Sequence, residues 1–461
     1  MSIKLDTIVK YAHRNGFIFQ SSEIYGGYSA VYDFGPLGKL LKDNLVQAWR
    51  NWMVTFRDDV VEIEGSIFLH PKVWEASGHI GGFSDLLVED TITHKRYRAD
   101  HLIEEAGIMD NADSLSPEET DKIISDNNIL SPDGNPLSTA KHFNLLVSTH
   151  LGATVDESSV AYLKGEACQN IYVNWKLVQE TSRRQLPFGI AQLGKAFRNE
   201  ITVKQYIFRT REFEQIDLQF FVKPGEEDQW YEFWKDYRYK FYTKYLSYNP
   251  ANLQFRQHEK LVFYAKDAWD IDYKFGALGF KEMEGIHNRT DYDTKQHSEF
   301  SGKDLQYRDP QTNEKYYPYV IETSLGVNRL LLSTLFEFYN EEHVENSSES
   351  RIVLKFPYIL APYKIAILPL MKKDGLAEQA KDIYMNLRKK GIMADIDLAG
   401  SIGKRYRRQD EIGTPWCVTV DYETLSEGTV TIRHRDTMEQ LRIDIEDIPA
   451  YLSSETFAEF K

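Results

Sequence analysis

The stretch FRNEITVKQYIFRTREFEQID, residues 197–217, carries the pattern that decides both fold and site. It predicts two antiparallel strands, because side chains alternate between the two faces of a strand. On the first strand one face carries Gln192, Arg198 and Glu200, and the other carries Leu193, Phe197 and Ile201. On the second strand the polar face carries Arg209, Arg211, Phe213, Gln215 and Asp217. The residues predicted to face the core are Ile216, Leu218 and Phe220.

The polar face of this predicted hairpin suits a nucleoside triphosphate. Guanidinium groups match phosphate oxygens with forked donors and keep their charge, and Arg184 just upstream adds a fourth arginine. Phe213 is suited to stacking on a purine base, and Glu200 to accepting from its exocyclic amine. The alternative is a solvated strand face held by cross-strand ion pairs, each worth about 0.2–1 kcal/mol. The pattern alone leaves both alternatives open.

Two later segments favour the binding interpretation. In YPYVIETSLGVNRLLLSTLFEFY (317–339), Glu322 and Ser324 share a strand face, and an apolar helix follows with Arg329 in its first turn. In GFKEMEGIHNRTD (279–291), alternation predicts that Glu282 and Glu284 share a face. Taken singly, each has a simpler explanation, because Glu322 could cap a strand end and Glu282 could lie on a solvated edge.

Composition limits the class of protein. A chain of 461 residues with 42% hydrophobic content predicts two or three globular domains. Its net charge of −15 argues against a broad, non-specific nucleic-acid surface but permits a local basic patch. The only cysteines are Cys168 and Cys417, which indicates a reducing compartment. The sequence shows neither a signal peptide nor a membrane span, so we expect a cytoplasmic protein without a membrane partner.

Together these segments resemble the class II aminoacyl-tRNA synthetases, and within them the homodimeric glycyl-tRNA synthetase family. The second class signature is matched by Phe197-Arg198-Asn199-Glu200 followed by Arg209, Phe213 and Asp217. The third signature is matched by Gly326-Val327-Asn328-Arg329, and the first, a dimer-forming helix with an early proline, by residues 35–52. The glycyl resemblance is carried by YDFGPLG (32–38), KRYRADHLIEE (95–105), EMEGIHNRTDYD (282–293), IETSLGVNR (321–329) and the stretches 400–425 and 430–440.

The resemblance implies an α+β fold in which helices flank an antiparallel class II synthetase sheet. Residues 1–100 and 161–355 are expected to form the catalytic domain, and residues 101–160 a small helical insertion that contacts the acceptor stem. Within the insertion, Ser116-Pro117-Glu118-Glu119 predicts a helix start with a capping box. Residues 356–461 are expected to form an α/β anticodon-binding domain. In that domain GKRYRR (403–408) suits RNA contact, although by itself it is more typical of a solvated helix face.

The family's reaction joins glycine and ATP into glycyl-adenylate with release of pyrophosphate, then transfers glycyl to the terminal ribose of tRNA(Gly). By matching position, Arg198 holds the α-phosphate and Arg209 the γ-phosphate. Glu200 reads the adenine amine, and Phe213 and Arg329 sandwich its ring. Glu282 is a Mg²⁺ ligand, in keeping with the preference of magnesium for oxygen.

The implied residues form two overlapping groups, with Arg198, Glu282 and Arg329 as the catalytic set. The ATP group comprises Arg198, Asn199, Glu200, Phe208, Arg209, Thr210, Arg211, Glu212, Phe213, Glu282, Met283, Gly326, Val327, Asn328 and Arg329. The glycine group comprises Arg98, Glu166, Phe213, Glu214, Gln215, Ile216, Asp217, Arg289, Glu322, Thr323, Ser324, Leu325 and Gly326. Glu166 and Glu322 would receive the α-ammonium of glycine.

The chain departs from the family pattern in three places. Residues 164–170 read KGEACQN where the family reads RPETAQG, and Thr323 replaces the usual proline after the glutamate. The third departure concerns residues 91–98, where relatives with cysteine pairs bind zinc. This chain has no cysteine there, so we expect no zinc.

Two other functions remain as alternatives. One is a class II synthetase for another small amino acid, namely proline, threonine or serine. The other is a synthetase-like protein that binds RNA without catalysis, which would be expected to lack the phosphate-binding arginines present here.

Overall fold

The computed structural model describes residues 3–109, 112, 115–153, 156, 159–201, 205–259, 261, 264–343 and 350–458. Residues 202–204 of the opening stretch and parts of the predicted insertion lie outside this description. The first part of the chain contains α1 (Leu5–Arg14), β1 (Ile18–Gln20), β2 (Tyr32–Phe34), α2 (Pro36–Arg50), β3 (Val60–Ile63), β4 (Phe68–Leu69), α3 (Pro71–Ala76), α4 (His79–Gly82), β5 (Ser84–Glu89), β6 (Arg96–Arg98), α5 (Ala99–Glu105), α6 (Pro117–Asp126), β7 (Lys141–Asn144), β8 (Val147–His150) and β9 (Val160–Leu163).

The central part carries the main sheet and the helices that cover it. It contains α7 (Cys168–Ser182), β10 (Phe188–Phe197), β11 (Glu212–Val222), α8 (Glu227–Lys240), β12 (Leu253–Gln257), β13 (Asp267–Lys274), β14 (Phe280–Thr290), α9 (Tyr292–Ser301), β15 (Tyr307–Arg308), β16 (Lys315–Tyr316), β17 (Tyr319–Gly326), α10 (Val327–Phe338), β18 (Tyr339–His343) and β19 (Ser350–Leu354). Seven strands pair in the order β12-β13-β14-β17-β11-β10-β3. All neighbours are antiparallel except β10 and β3, so the predicted antiparallel sheet is confirmed.

The two faces of the sheet are covered differently. On one face, alternate residues of β11 and β17 pack against α2, α8 and α10, as Ile216, Leu218 and Phe220 were predicted to do. On the other face, helix α7 covers only one end of the strands, where Trp175 stacks on Phe221 with ring centroids 5.1 Å apart. The rest of that face stays open, and it carries the polar side chains of β11 and β17.

The helix of the first signature is confirmed as α2, with Pro36 in its first turn. Its buried stripe includes Leu37, Leu41, Leu45 and Trp49, as helical spacing predicts. Gly38 allows α2 to lie close to the preceding chain. A Cβ at this position would lie only 1.8 Å from the carbonyl oxygen of Phe17.

One prediction about the sheet is wrong: Glu282 and Glu284 do not share a face. Residues 271 and 272 of β13 face residues 284 and 282 of β14, so Met283 forms a β-bulge. Because a bulge adds one residue to one strand, it reverses the alternation beyond it. Glu284 therefore turns into the core, where it is fully buried against Arg238 and Tyr242. Glu282 stays on the open face.

The insertion contains both helix and strand. Its predicted capping box is confirmed, since the hydroxyl of Ser116 accepts from the backbone amide of Glu119 and the Glu119 carboxylate accepts in return. The structure adds β7 and β8, and β7 pairs with β5 in a small sheet that also includes β6. A purely helical insertion was the expectation, and the strands were missed because they are short and only partly buried.

The C-terminal part forms the predicted α/β unit. It contains β20 (Ile365–Pro369), α11 (Leu376–Lys389), β21 (Ala394–Ile396), α12 (Ile402–Glu411), β22 (Trp416–Val420), α13 (Tyr422–Glu427), β23 (Thr429–His434), β24 (Gln440–Asp444) and α14 (Ile448–Ala458). The strand order is β21-β20-β22-β23-β24, with the first three strands parallel. The edge strand β24 was not predicted, because its side chains are mostly exposed.

Helix α12 carries the basic cluster at 403–408, and its residues divide into two groups. Arg405 is buried and donates to the carbonyl oxygens of Leu398 (3.2 Å) and Gly400 (2.8 Å), so it stabilises the loop before α12. Lys404 and Arg408 are exposed. The cluster is therefore neither a plain solvated face nor wholly available to a ligand.

Substitution of Gly38 by alanine tests how tightly α2 is packed, and Gly403 in α12 provides the comparison. We expect Gly38→Ala to lower the free energy of unfolding by about 2 kcal/mol or more, because the new methyl group overlaps the backbone of Phe17. Gly403→Ala in α12 is the matched control, since its Cβ would meet nothing within 4 Å. Alanine favours a helix over glycine by up to about 1 kcal/mol, so this variant should melt at or above the parent. Thermal unfolding followed by circular dichroism distinguishes them, and a Gly38→Ala protein that melts with the parent would contradict the packing.

Candidate active site

A polar cleft opens on the uncovered face of the main sheet. The residues around it come from the β10–β11 hairpin, β14, β17 and the start of α10. They are Arg198, Glu200, Ile207, Phe208, Arg209, Thr210, Phe213, Gln215, Glu282, Ser324, Gly326, Asn328 and Arg329. The predicted hairpin, the segment 279–291 and the segment 317–339 therefore meet at this cleft.

Arg198 lies just past the end of β10 and is held in a fixed orientation. Its Nε donates to the carbonyl oxygen of Gly165 at 3.0 Å. Its guanidinium lies 5.3 Å from the ring centroid of Phe213 and 5.0 Å from that of Phe83. Arg198 also lines the cleft, and the forked donors of a guanidinium suit a phosphate group.

Arg329 and Glu282 form the opposite side of the cleft. Arg329 Nη1 lies 2.9 Å from Glu282 Oε1, and its guanidinium covers the ring of Phe208 at 4.4 Å. The positive charge of Arg329 is the main cause that lowers the pKa of Glu282. Glu282 is therefore an ionised, half-exposed carboxylate, which is the kind of oxygen ligand that Mg²⁺ favours.

Glu200 is buried beside the arginines of the hairpin. Its carboxylate lies 4.0 Å from Arg209 Nη1, and its carbonyl oxygen accepts from Arg211 Nε at 2.9 Å. Arg211 is thereby occupied with main-chain atoms. Arg184 also lies elsewhere, because it donates to the carbonyl oxygen of Asp58. Of the four arginines expected around the hairpin, Arg198 and Arg209 line the cleft.

Two residues before Ser324 on β17, in a buried region that we call the deep end of the site, Glu322 joins three strands. Gln219, Glu322 and His287 are neighbours in register across β11, β17 and β14. Glu322 accepts from Gln219 Nε2 at 2.8 Å and lies 2.8 Å from His287 Nδ1. Arg289 Nη1 donates to both of its oxygens at 3.1 Å. Burial opposes ionisation, but Arg289 and His287 outweigh it and lower the pKa of Glu322 to about 2.

Glu166 is a second carboxylate near the same end, and 14% of its side chain is exposed. His79 Nε2 lies 3.2 Å from it, the thiol of Cys168 donates to it at 2.9 Å, and Gln169 Nε2 donates at 3.0 Å. Burial favours the neutral form, but the charge and hydrogen bond of His79 hold the pKa of Glu166 well below its usual value. Two ionised carboxylates in a buried setting are suited to an ammonium group.

Small residues form the floor between these carboxylates and the arginines. One row across the sheet pairs Asp217 with Ser324, and Ser324 with Gly285. The next row pairs Gly194 with Gln215, and Gln215 with Gly326. Gln215 Nε2 also donates to Ser324 Oγ at 2.7 Å. The floor therefore leaves room for a small molecule without offering it a hydrophobic pocket.

The structure separates several residues of the expected glycine group from this site. Strand alternation turns Glu214, Ile216, Thr323 and Leu325 to the opposite face, where Glu214 pairs with Lys42 at 2.7 Å. Arg98 lies on β6 in the small sheet, paired with Asp85 at 3.0 Å and with Asp100. The prediction that the side chains of Glu214, Ile216, Thr323 and Leu325 line the glycine site is therefore corrected. Arg98 stays a prediction, because its charge acts on Glu200 of the cleft.

Several side chains of the expected ATP group also lie away from the cleft. Met283 and Val327 belong to the core cluster, because the bulge and the helix start direct them inward. Glu212 pairs with Lys195 on the neighbouring strand, outside the cleft. Asn199, just past β10, donates its backbone amide to Leu145, and its side chain is not among those that line the cleft.

Several residues of the deep end were not predicted from the sequence. Gln219 could have been found, because it follows Gln215 and Asp217 on the same alternating face. His287 was hidden by the bulge, which reverses the face that alternation assigns to it. His79 and Gln169 come from α4 and α7 and gave no local signal.

Comparisons with known proteins point in one direction. Residues 154–338 match the family described as tRNA synthetase class II core domain (G, H, P, S and T), and residues 364–455 match the anticodon binding domain. The chain is 48% identical to the glycine–tRNA ligase of Treponema denticola, over 98% of this chain and 97% of that protein. Its identity to the glycine–tRNA ligase of Streptomyces coelicolor is also 48%, over 98% of each chain. The crystal structure of prolyl-tRNA synthetase from Cryptosporidium parvum complexed with halofuginone and AMPPNP aligns with 99% of this chain and 78% of its own, at a TM-score of 0.62 and 14% identity, which shows likeness of fold alone.

Asp217 provides a pH-dependent test of the site's electrostatics. Both of its carboxylate oxygens are buried without a hydrogen-bond partner among the described residues. Burial, and then repulsion from Glu322, raise its pKa well above 3.8, although the nearby Ser324 opposes this. The folded state therefore binds the Asp217 proton more tightly than the unfolded state, so this group lowers stability as the pH rises above 3.8.

We therefore expect Asp217→Asn to be at least as stable as the parent at neutral pH, with an advantage that grows as the pH rises from about 4. Asp293→Asn is the matched control, because Asp293 is equally buried but accepts from Arg289 at 2.9 and 3.1 Å. That control should lose about 2 kcal/mol or more. Thermal midpoints across the pH range provide the measurement. A large loss of stability in Asp217→Asn at neutral pH would show that the carboxyl group is ionised and paired.

Proposed function

The chain belongs to the glycine–tRNA ligases of class II, and we propose that the polar cleft carries out both steps of their ATP-dependent reaction. The observation that carries this proposal is the arrangement along one open sheet face. Arginines lie at one end, two ionised carboxylates lie at the other, and a floor that includes Gly285, Ser324 and Gly326 separates them. That order matches a triphosphate and an amino acid that meet in the middle.

In the proposed first step, a carboxylate oxygen of glycine bonds to the α-phosphorus of ATP and the bond to the β-phosphate breaks. Arg198 stabilises the negative charge that develops on the α-phosphate oxygens, because its fork is already fixed by Gly165 and Phe213. Arg209 and Arg329 hold the remaining phosphates. No side chain needs to exchange a proton in this step, so positioning accounts for most of the rate.

Adenine would bind between the hairpin and α10. Glu200 is buried beside Arg209 and can accept from the exocyclic amine, while Phe213 and Arg329 face the ring. In the present structure the Arg329 guanidinium covers Phe208 instead, at 4.4 Å, so we propose that it moves to the nucleotide on binding. Glu282 would hold the Mg²⁺ that accompanies ATP. When bound, this ion neutralises phosphate charge.

Glycine would bind with its ammonium between Glu166 and Glu322. Both carboxylates are ionised and already hydrogen-bonded, so they need little reorganisation to accept the ligand. Larger amino acids can be rejected by collision in a closed site, which is easier than rejecting smaller ones. The relatives of known specificity favour glycine over proline, threonine or serine, whereas the class II core match alone covers several amino acids.

We propose that two copies of the chain associate through the region around α2. In the segment before this helix, Ile24 is 88% exposed and Tyr25 is 87% exposed, and Tyr28 is also largely exposed. Apolar side chains exposed together in this way are typical of an interaction surface. A homodimer would cover them.

tRNA(Gly) would contact both ends of the molecule. Lys404 and Arg408 are the residues of the α12 cluster that are exposed enough to reach an anticodon. The insertion would contact the acceptor stem. In support, the charge of Arg98, on the strand β6 that precedes the insertion, acts on Glu200 of the cleft. The predicted division into a catalytic domain (1–100 and 161–355), an insertion (101–160) and an anticodon-binding domain (356–461) stays a proposal.

We place the protein in the cytoplasm. Cys168 and Cys417 are both free and buried, which fits a reducing compartment. Among the described residues, no helix combines the length and apolar character that crossing a bilayer requires.

Arg198→Ala tests the proposed first step. We expect it to lower glycine-dependent ATP–pyrophosphate exchange by about 10²-fold or more, because a fixed donor to the developing charge is lost. Arg184→Ala is the matched control, since Arg184 contacts the main chain of Asp58 away from the cleft and its loss should leave the rate close to that of the parent. Serine, threonine and proline are assayed in parallel and should support no exchange. Full activity of a folded Arg198→Ala protein, or exchange driven by another amino acid and not by glycine, would refute the proposal.

A further inference from the structure

Three side chains that can bind metal meet beside the glycine end of the cleft. His258 follows β12, Asp270 lies on β13 and His287 lies on β14, so they come from three neighbouring strands. One ligand atom from each lies within 4.8 Å of the other two. Asp270 is almost completely buried, and the two imidazoles are partly exposed.

His287 is oriented as a metal-binding histidine usually is. Its Nδ1 lies 2.8 Å from a Glu322 oxygen, which is the distance of a hydrogen bond in which Nδ1–H donates. With Nδ1 used in this way, Nε2 is the ring nitrogen available to an ion, and it lies on the side of Gly285 where Asp270 Oδ1 also lies. A carboxylate on the far nitrogen is the common second partner of a metal-binding histidine, because it fixes the tautomer and the ring orientation.

His258 supplies a second imidazole next to Asp270. Its Nε2 is buried and lies 2.9 Å from Asp270 Oδ2. An ion bound by Asp270 would therefore be within reach of this nitrogen.

Gly285 leaves space between the three groups. It is the cross-strand neighbour of Asp270, and a Cβ there would lie 3.0 Å from His287 Nε2 and 3.6 Å from Asp270 Oδ1. Tetrahedral coordination at the usual bond lengths separates ligand atoms by about 3.4 Å. The present separations, 2.9 Å for one pair and at most 4.8 Å for any, reach that value with small side-chain movements.

One positive charge competes for the site. Arg256 contacts Asp270 and also lies 3.0 Å from Asp272, but its side chain is half exposed. If Asp270 binds an ion, Arg256 can remain paired with its second carboxylate, Asp272. Both histidines and Arg256 also act on the charge of Glu282, so the three ligands lie near this carboxylate as well as near Glu322.

We propose that His258, Asp270 and His287 form a binding site for a divalent ion of the class that prefers imidazole, for which Zn²⁺ and Co²⁺ are the probes. Two histidines and one carboxylate with a fourth position open are a common donor set for such ions. The site is separate from Glu282 and from residues 91–98, where no zinc is expected. It requires both imidazoles in their neutral form, so binding releases any proton they hold.

The site also provides a link to glycine, which rests on the proposed function. His287 connects the ion to Glu322, the carboxylate that would receive the ammonium of glycine. A bound ion places two further positive charges behind Glu322 and strengthens its hydrogen bond with Nδ1–H. Glycine affinity should therefore fall, while the ATP side of the cleft changes less.

Binding is measured on the full chain with Co²⁺, whose visible absorption reports four-coordinate ligation, and with Zn²⁺ by titration calorimetry. We expect one ion per chain in the parent and binding weaker by about tenfold or more in His258→Gln. His94→Gln is the matched control, because His94 is exposed on the turn between β5 and β6. Thermal melting checks that each variant is folded. Absence of binding in the parent, or equal binding in folded His258→Gln, would overturn the proposal.

The link to glycine is tested separately, by exchange kinetics. Without added metal, His258→Gln should show the exchange activity of the parent. With Zn²⁺, the KM for glycine should rise in the parent and in His94→Gln but stay constant in His258→Gln. An unchanged glycine KM in parent protein that has been shown to bind Zn²⁺ would overturn the link to Glu322.

Discussion

The Glu322 carboxylate must remain ionised in a place that water hardly reaches, and most of the site follows from that constraint. A buried charge is tolerated only when neighbouring groups replace its hydration. Here Arg289, His287 and Gln219 do so from three directions, and Asp293 in turn holds Arg289. The same arrangement makes Glu322 a fixed acceptor for an ammonium group. The cost of burying these charges is offset by the large apolar core on the other face of the sheet.

The antiparallel sheet is what makes the arrangement possible. In-register pairing places side chains of β11, β17 and β14 in rows, so that the polar residues of a row touch while the intervening residues enter the core. The bulge at Met283 sends Glu284 into the core and leaves Glu282, His287 and Arg289 on the open face. The nucleotide end and the glycine end of the cleft are therefore both supported by β14. The proposed ion site extends from this strand across β13 to the end of β12.

Much of this could be predicted from the sequence, and the failures have a physical pattern. Alternation correctly separated Ile216 and Leu218 from Gln215 and Asp217, because β11 is regular along its whole length. It failed for Glu284, since a bulge leaves no clear mark in sequence. Transfer by family position misplaced Glu214, whose partner Lys42 belongs to another element. His79 and Gln169 reach the site through tertiary packing, which local patterns do not contain. Residues 403–408 do form a basic cluster, but Arg405 is buried and stabilises the fold by donating to Gly400.

A crystal structure of the full chain with glycine and a non-hydrolysable ATP analogue tests the central claim most directly. The account predicts the α-phosphate at Arg198, the remaining phosphates between Arg209 and Arg329, and the glycine ammonium within hydrogen-bond distance of Glu166 and Glu322. Phosphates bound away from Arg198 and Arg329, or an ammonium that contacts neither carboxylate, would contradict it.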